Sequence, residues 1–302
     1  MQPLGNPESD PPVVIRFFAP SPQLAPYITT YYHTEVTLPE GKQVSDWLHP
    51  EWANLRFFNG GIRKAAVGHE PPEQVPAFTL AGPTSRAVRF EAGSMRSWGI
   101  GLLPLGWAKF ISAPAEEYAD RFVDAAMETV TDIFRPLGDL LFAKSDSRPI
   151  EEAARIDAFL LDRLAVAPAD DPLVLRAHAA LADPDVATVA DLAERLQISG
   201  RSVERLSRRA FGFPPKLLLR RQRFLRTLAQ VMLDPTQKWV TSLDEHYHDQ
   251  AHFTRDFQRF MGMSANAYMA QPHPFLGAAV HGRMAAAGAA MQVLHRPDTK
   301  IG

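Results

Sequence analysis

Arg201, Arg205 and Arg208 recur at spacings of four and three residues within ISGRSVERLSRRAFGF, and Val203, Leu206 and Ala210 alternate with them. On an α-helix this sorts into an arginine face and an apolar face. A guanidinium on such a face is a planar fork. It can donate two hydrogen bonds together to O6 and N7 of guanine, or grip a phosphate. The same pattern on an ordinary amphipathic hairpin merely keeps its charges in water. The elements around the arginines separate the two cases.

Thr188-Val-Ala-Asp191 has the form of a capping box, which starts a helix with Val189, Leu192, Ala193 and Leu196 on one face. Small Ala193 lets a second helix cross closely. Gln197-Ile198-Ser199 supplies a turn, with Ser199 as the N-cap of the arginine-bearing helix. Two helices joined by so short a turn form a helix-turn-helix, whose second helix fits the major groove. Pro214-Pro215-Lys216 then begins a long helix, LLLRRQRFLRTLAQVM, ended by Asp234-Pro235. A second such pair follows in VTSLDEHYHDQAHFTRDFQRFMGMSANAY. There Asp249 is the expected N-cap, Phe253, Phe257 and Phe260 face inward, and Ala251, Arg255 and Gln258 face outward.

The charge is unevenly placed. The chain has 302 residues and a net charge of −2, yet residues 186–232 hold ten Lys or Arg against three acids. That window carries +7 and the remainder −9. A local field of this sign suits a polyanion, which binds with release of counterions. Residues 233–272 reverse it, with five acids against three bases.

Rival chemistries are poorly supported. His246, His248 and His252 have tempting spacing for a metal, but no clear carboxylate beyond Asp244 or Glu245 completes a set. His33, Glu35, His49 and His69 lack the order of a cupin metal site. No nucleophile elbow, phosphate-cradling loop or zinc-protease helix motif occurs. The absence of cysteine removes disulfides, thiolate metal sites and alkyl-accepting thiols. The reading is therefore no enzyme, no cofactor and no metal. MQPLGNPESDPPVV lacks the basic and apolar regions of a signal peptide, and no apolar run reaches membrane-spanning length, so a cytoplasmic location is expected.

The expected fold class is α+β. Residues 13–115 read as short strands broken by Pro and Gly, a β-rich barrel or sandwich suited to sensing. Tyr27, Tyr31, Tyr32, Trp47, Trp52, Phe57, Phe58 and Trp98 could line an effector pocket or simply build a core. If a pocket exists, His33, Arg56 or Arg89 would be its polar handles. Residues 116–183 read as a helical linker. Phe122, Met127, Val130, Ile133, Phe134, Ile156, Phe159, Leu160 and Leu164 could serve a homodimer interface or pack within one chain. Residues 184–272 form an all-α domain with two helix-turn-helix units, and 273–302 a tail, partly helical or disordered. Residues 1–12 are expected to be disordered.

DQAHFTRDFQRFMGMSANAY resembles the signature of the AraC/XylS family of transcription regulators, and ISGRSVERLSRRAFGFPPK is similar to that family's first recognition helix. Upstream, PSPQLAPYITTYYH, HPEWANLRFFNGG, LAGPTSRAVRF and GIGLLPLGWAKFISAPAEEYAD resemble the β-rich front domain of one branch. The resemblance implies a regulator that reads double-stranded DNA in successive major-groove segments, with a small-molecule effector acting on the front domain. Carried over by position, it implies base-edge contacts from Arg201, Glu204 and Arg205 in the first unit and Gln250, Ala251, His252 and Arg255 in the second. Arg208, Arg209, Arg220 and Arg221 are then phosphate contacts or partners of local acids. The chain departs from the family where His246 adjoins Tyr247 in place of a Gly before the aromatic. It departs again in the supporting helix there, which carries Ser242, Asp244 and Glu245. These departures and the acidic balance assign most of the binding to the first unit. The alternative is a ligand-sensing or interaction protein whose second unit has degenerated and which binds little specific DNA.

Overall fold

The computed structural model describes residues 12–142, 147–234, 244, 247 and 250–297. His246, His248, Asp249, Ser242, Glu245 and all of residues 1–12 except Pro12 lie outside it, as do the expectations placed on them.

The front of the chain is a two-sheet sandwich. Strands β1 (Val13–Phe18), β2 (Ile28–Val36), β9 (Met95–Leu102), β4 (Asn54–Asn59), β7 (Phe78–Ala81) and β10 (Phe122–Asp124) form one antiparallel sheet in that order. Strands β3 (Val44–Leu48), β8 (Val88–Ala92), β5 (Arg63–Val67) and β6 (Glu73–Gln74) form the second. The sheets do not close into one barrel. Aromatic and β-branched residues alternate inward along β2, β4 and β9, placing Tyr31, Leu55, Phe57, Trp98 and Ile100 in the core.

The linker departs from its expected helical reading. Residues 116–134 hold a 3-10 turn at Ala115–Glu117, strand β10 and a second 3-10 stretch at Thr129–Phe134. Phe122 pairs with Ala81 of β7, so hydrogen bonding to an available sheet edge overrides the local helical spacing. Helices α1 (Pro104–Phe110), α2 (Arg135–Phe142), α3 (Pro149–Val166) and α4 (Pro172–Ala182) complete this half. Phe134, Ile156 and Leu160 are buried in the chain's own core, whereas Met127 and Ile133 are exposed.

The back of the chain contains α5 (Val189–Leu196), α6 (Gly200–Phe211), α7 (Pro215–Leu233), α8 (Gln250–Met261) and α9 (Ala265–Met269). The tail is not a disordered end over its described part. Helix α10 (Leu276–Ala287) lies on β1, and Met291 and Val293 beyond it are buried. Its order comes from the front sandwich, against which Leu276 and Val280 pack.

Candidate nucleic-acid interface

The first helix-turn-helix forms where its residues place it. Thr188 Oγ1 accepts from the Asp191 N–H at 3.1 Å, and Asp191 Oδ2 accepts from the Thr188 N–H at 2.9 Å. These donors hold the Asp191 carboxyl below the usual carboxylate range. Gln197, at φ +56°, turns the chain, and Ser199 Oγ accepts from the Ser202 N–H to open α6. Val203, Leu206 and Ala210 are buried, which turns Arg201 and Arg205 into solvent. Neither arginine makes an ion pair among the described residues. Glu204 is engaged otherwise, since its Oε1 accepts from Arg208 Nε at 2.9 Å.

The expected phosphate contacts divide. Arg208 also lies 3.8 Å from Glu116 of the front half, and Arg209 donates to Asp171 at 2.7 Å. Both remain at the surface. Arg220 pairs with buried Asp256 of α8. Arg221 departs from its expected role because it is wholly buried. Its Nη1 donates to the carbonyl of Thr84 at 2.7 Å, and its guanidinium lies 4.2 Å from the ring centre of Trp52 and 5.7 Å from that of Phe213. The Thr84 carbonyl and the aromatic faces make this cation an inter-domain bolt, held against the cost of desolvation, which lowers its pKa to about 9. No sequence signal distinguishes it from Arg220 beside it, since only the partner Trp52, far away in the chain, assigns the role.

The second unit is organised around an acid. Phe253, Phe257 and Phe260 surround Phe224 of α7, with ring centres 5.1–6.1 Å apart. Beside them, Asp256 accepts from Arg220 and, at 3.0 Å, from the Tyr247 hydroxyl. Burial, and then the charge of Asp256, push the Tyr247 hydroxyl pKa up. Gln250, Ala251 and Arg255 face solvent. His252 is half-buried against Tyr247, and burial lowers its pKa.

Each recognition helix ends on a glycine that meets the front half. Gly212 at φ +83° and Gly262 at φ +76° adopt the left-handed conformation. A Cβ on Gly212 would lie 2.6 Å from Pro83, and one on Gly262 would lie 2.8 Å from His69. The Phe260 carbonyl accepts from the Ala87 N–H, and Tyr268 Oη bonds His49 Nε2 at 2.8 Å.

Residues 192–271 match the family model described as a helix-turn-helix domain. The C-terminal half of this chain contains a helix-turn-helix domain. Residues 16–124 of the same chain match a family described as a domain of unknown function. No curated protein matches it. Among solved structures, ToxT from Vibrio cholerae is 10% identical over 85% of this chain and 97% of its own, with a TM-score of 0.42. The AraC-like transcriptional activator CuxR is 14% identical over 73% of this chain and 88% of its own, with a TM-score of 0.30. Among the described residues, no helix is long and apolar enough to cross a membrane.

Besides the helices, the sandwich holds a half-open cavity of about 120 Å³ between its sheets. Neither His33 nor Arg89 lines it, whereas Tyr32, Phe58 and Arg56 do. Arg56 donates to Glu51 at 2.6 Å and to Tyr32 Oη at 3.0 Å. His33 lies behind the sheet, under Trp98 and Arg96, and burial lowers its pKa to about 4.

Proposed function

We propose that the protein is a sequence-specific DNA-binding transcription regulator whose first helix-turn-helix supplies most of the affinity and whose front sandwich carries effector control. One observation bears the reading. Helix α6 is capped at both ends, anchored by its apolar face, and presents Arg201 and Arg205 outward without ion-pair partners. Removing such a guanidinium from water requires no breaking of an existing ion pair, so its binding energy is available to a base edge. Arg208 and Arg209 flank it as phosphate contacts, from which they displace only half-exposed acids. In the second unit Gln250, Ala251, His252 and Arg255 contribute less, and Arg220 acts through Asp256.

Selection of bound sequences from random duplexes, followed by gel-shift titration across salt concentrations, tests this. The expected result is a defined motif and a steep salt dependence. Absence of retention on DNA at low salt would instead favour a ligand-sensing protein with little DNA binding. That second reading draws on the internal ion pair of Arg220 of α7 with Asp256 of α8, which takes a basic residue beside the second unit out of play.

A further inference from the structure

A strap of chain behind the second helix-turn-helix ties the two halves together. It starts at His273, just after α9, and runs through α10 to Val293. Asp46 of β3, a buried carboxylate, accepts from the backbone N–H groups of Phe275 and Leu276 at 2.9 and 3.0 Å. It thereby caps α10 from another element, satisfying N–H groups that a helix start leaves open. The Phe275 ring packs edge-on against Phe90 of β8, with centres 4.8 Å apart. At the far end Gln292 donates to the Ala53 carbonyl at 3.2 Å, and Gln222 of α7 donates to the Val293 carbonyl at 2.8 Å. The strap is thus fixed to the sandwich at both ends and to α7, the helix between the two helix-turn-helix units, at one.

His273 is where sandwich, strap and second unit meet. Its Nδ1 lies 3.0 Å from Asp46 Oδ1, and its Nε2 lies 2.9 Å from the Tyr268 carbonyl of α9. Both oxygens are acceptors: three backbone N–H groups, those of Trp47, Phe275 and Leu276, already converge on the carboxylate. A neutral imidazole has one N–H and one lone pair, and so sets a lone pair against one of the two oxygens. The imidazolium has two N–H groups and satisfies both. The Tyr268 ring lies against it, centres 4.3 Å apart, and offers the cation a negative π face. Burial disfavours the charged ring, but the bonds to Asp46 and Tyr268 and the charge of Asp46 outweigh it and raise the His273 pKa. The surrounding groups do not titrate with it. His49 bonds Tyr268 Oη, and burial pushes its pKa down to about 3, while burial pushes the Tyr268 hydroxyl up. Charged groups on the neighbouring elements pair with one another, Arg283 of α10 with Glu51 and Arg89 with Glu91 on β8. The His273 side chain is 12% exposed, which gives its proton a route to water.

We propose that His273 and Asp46 form a proton-operated latch: with two protons the ring ties the strap and the second unit to the sandwich, and with one it releases one of its two holds. Loss of a proton to water leaves a lone pair against the Asp46 carboxylate or the Tyr268 carbonyl, and buried Asp46 loses its counter-charge. Because the folded ring holds its proton more tightly than the unfolded one, the latch is complete below about pH 6.5 and opens as pH rises through the folded value. The Phe275 and Leu276 N–H groups, which Asp46 holds, are then the first to loosen. This device goes beyond DNA binding and stands without it. On the regulator reading, its opening loosens the seat of the second recognition helix on the sandwich.

Two measurements on the full chain test the latch. Nitrogen NMR of the His273 side chain in the native protein should show both ring nitrogens protonated at about pH 6 and a titration midpoint above about 6.5. Hydrogen-exchange mass spectrometry of the peptide over residues 273–278, corrected for the intrinsic pH dependence of exchange, should show protection falling about tenfold or more between about pH 6 and about pH 9. His273→Gln, with its fold checked by circular dichroism, should remove that pH step. A ring with one proton at the lower pH, or a midpoint at or below the ordinary histidine value, would overturn the proposal without any variant. So would native protection that is equal at the two pH values, or a folded His273→Gln chain that keeps the whole step.

Discussion

The two helix-turn-helix units share a plan and use their charges differently. In the first, arginine is outside and apolar residues hold the helix; Arg201 and Arg205 make no ion pair among the described residues, and Arg208 and Arg209 pair only with part-exposed acids. In the second, an acid is inside, and a neighbouring arginine and tyrosine are committed to it. Charge on a recognition helix therefore counts toward DNA only after internal pairing is subtracted. The first helix keeps Arg201 and Arg205 after that subtraction, whereas Asp256 of the second helix ties up Arg220 of the neighbouring α7.

The contrast breaks most readily at Asp256. Asp256→Ala leaves Arg220 and the Tyr247 hydroxyl without their shared partner, and should lower stability by about 3–5 kcal/mol, read by urea denaturation. The matching change on the first helix, Glu204→Ala, should shift it by no more than about 1 kcal/mol, because that pair is half-exposed. Equal effects would erase the distinction. Arg205→Ala should weaken binding to selected DNA by up to about 3 kcal/mol, and more than Arg255→Ala does. Gel-shift titrations giving the reverse order would make the second unit dominant.

A third test uses pH. His178 lies in the dock beneath the first unit, 5.8 Å from the ring centre of Trp52, and burial pushes its imidazole down to about 3. The unfolded chain takes up a proton below about 6.5 that the folded chain refuses. Stability is then complete above that value and declines on acidification, by about 2 kcal/mol at pH 5 from this group. Denaturation of His178→Leu at pH 7 and pH 5 should show a pH penalty smaller by that amount. An unchanged penalty would place the acid sensitivity elsewhere. The smallest effect belongs to Arg209→Ala, which should reduce the slope of log affinity against log salt by about 1 without altering sequence preference.

What was legible in the sequence was local. The capping box at Thr188 and Asp191, the turn at Gln197 to Ser199 and the stop at Asp234 are each decided by neighbours within a few residues, and each appears in the structure. The illegible parts depend on distant partners. Arg220 and Arg221 are adjacent and alike, yet one meets Asp256 and the other Trp52. Strand β10 hides in a helical-looking stretch because a sheet edge recruits it. The tail, rich in Ala and Gly, has little amphipathic pattern of its own, and Asp46 fixes its start from more than two hundred residues away. Of the eight aromatics expected to line a pocket, only Tyr32 and Phe58 line the cavity; Phe17, Phe90, Phe122 and Phe275 line it as well and are not among them.

The paired glycines at the ends of α6 and α8 have a geometric consequence for the operator. Both recognition helices rest on the same sandwich, through Pro83 and His69. The front half therefore acts as a caliper whose jaws are the two helices, and the gap between them is set by a folded domain instead of a flexible tether. On the regulator reading proposed above, DNA bound by both helices would have to match one phase of the double helix. Inserting about 5 base pairs, half a helical turn, between the two contacted segments places the second on the wrong side of the duplex. The second unit would then lose its share of binding as a step, not a gradient.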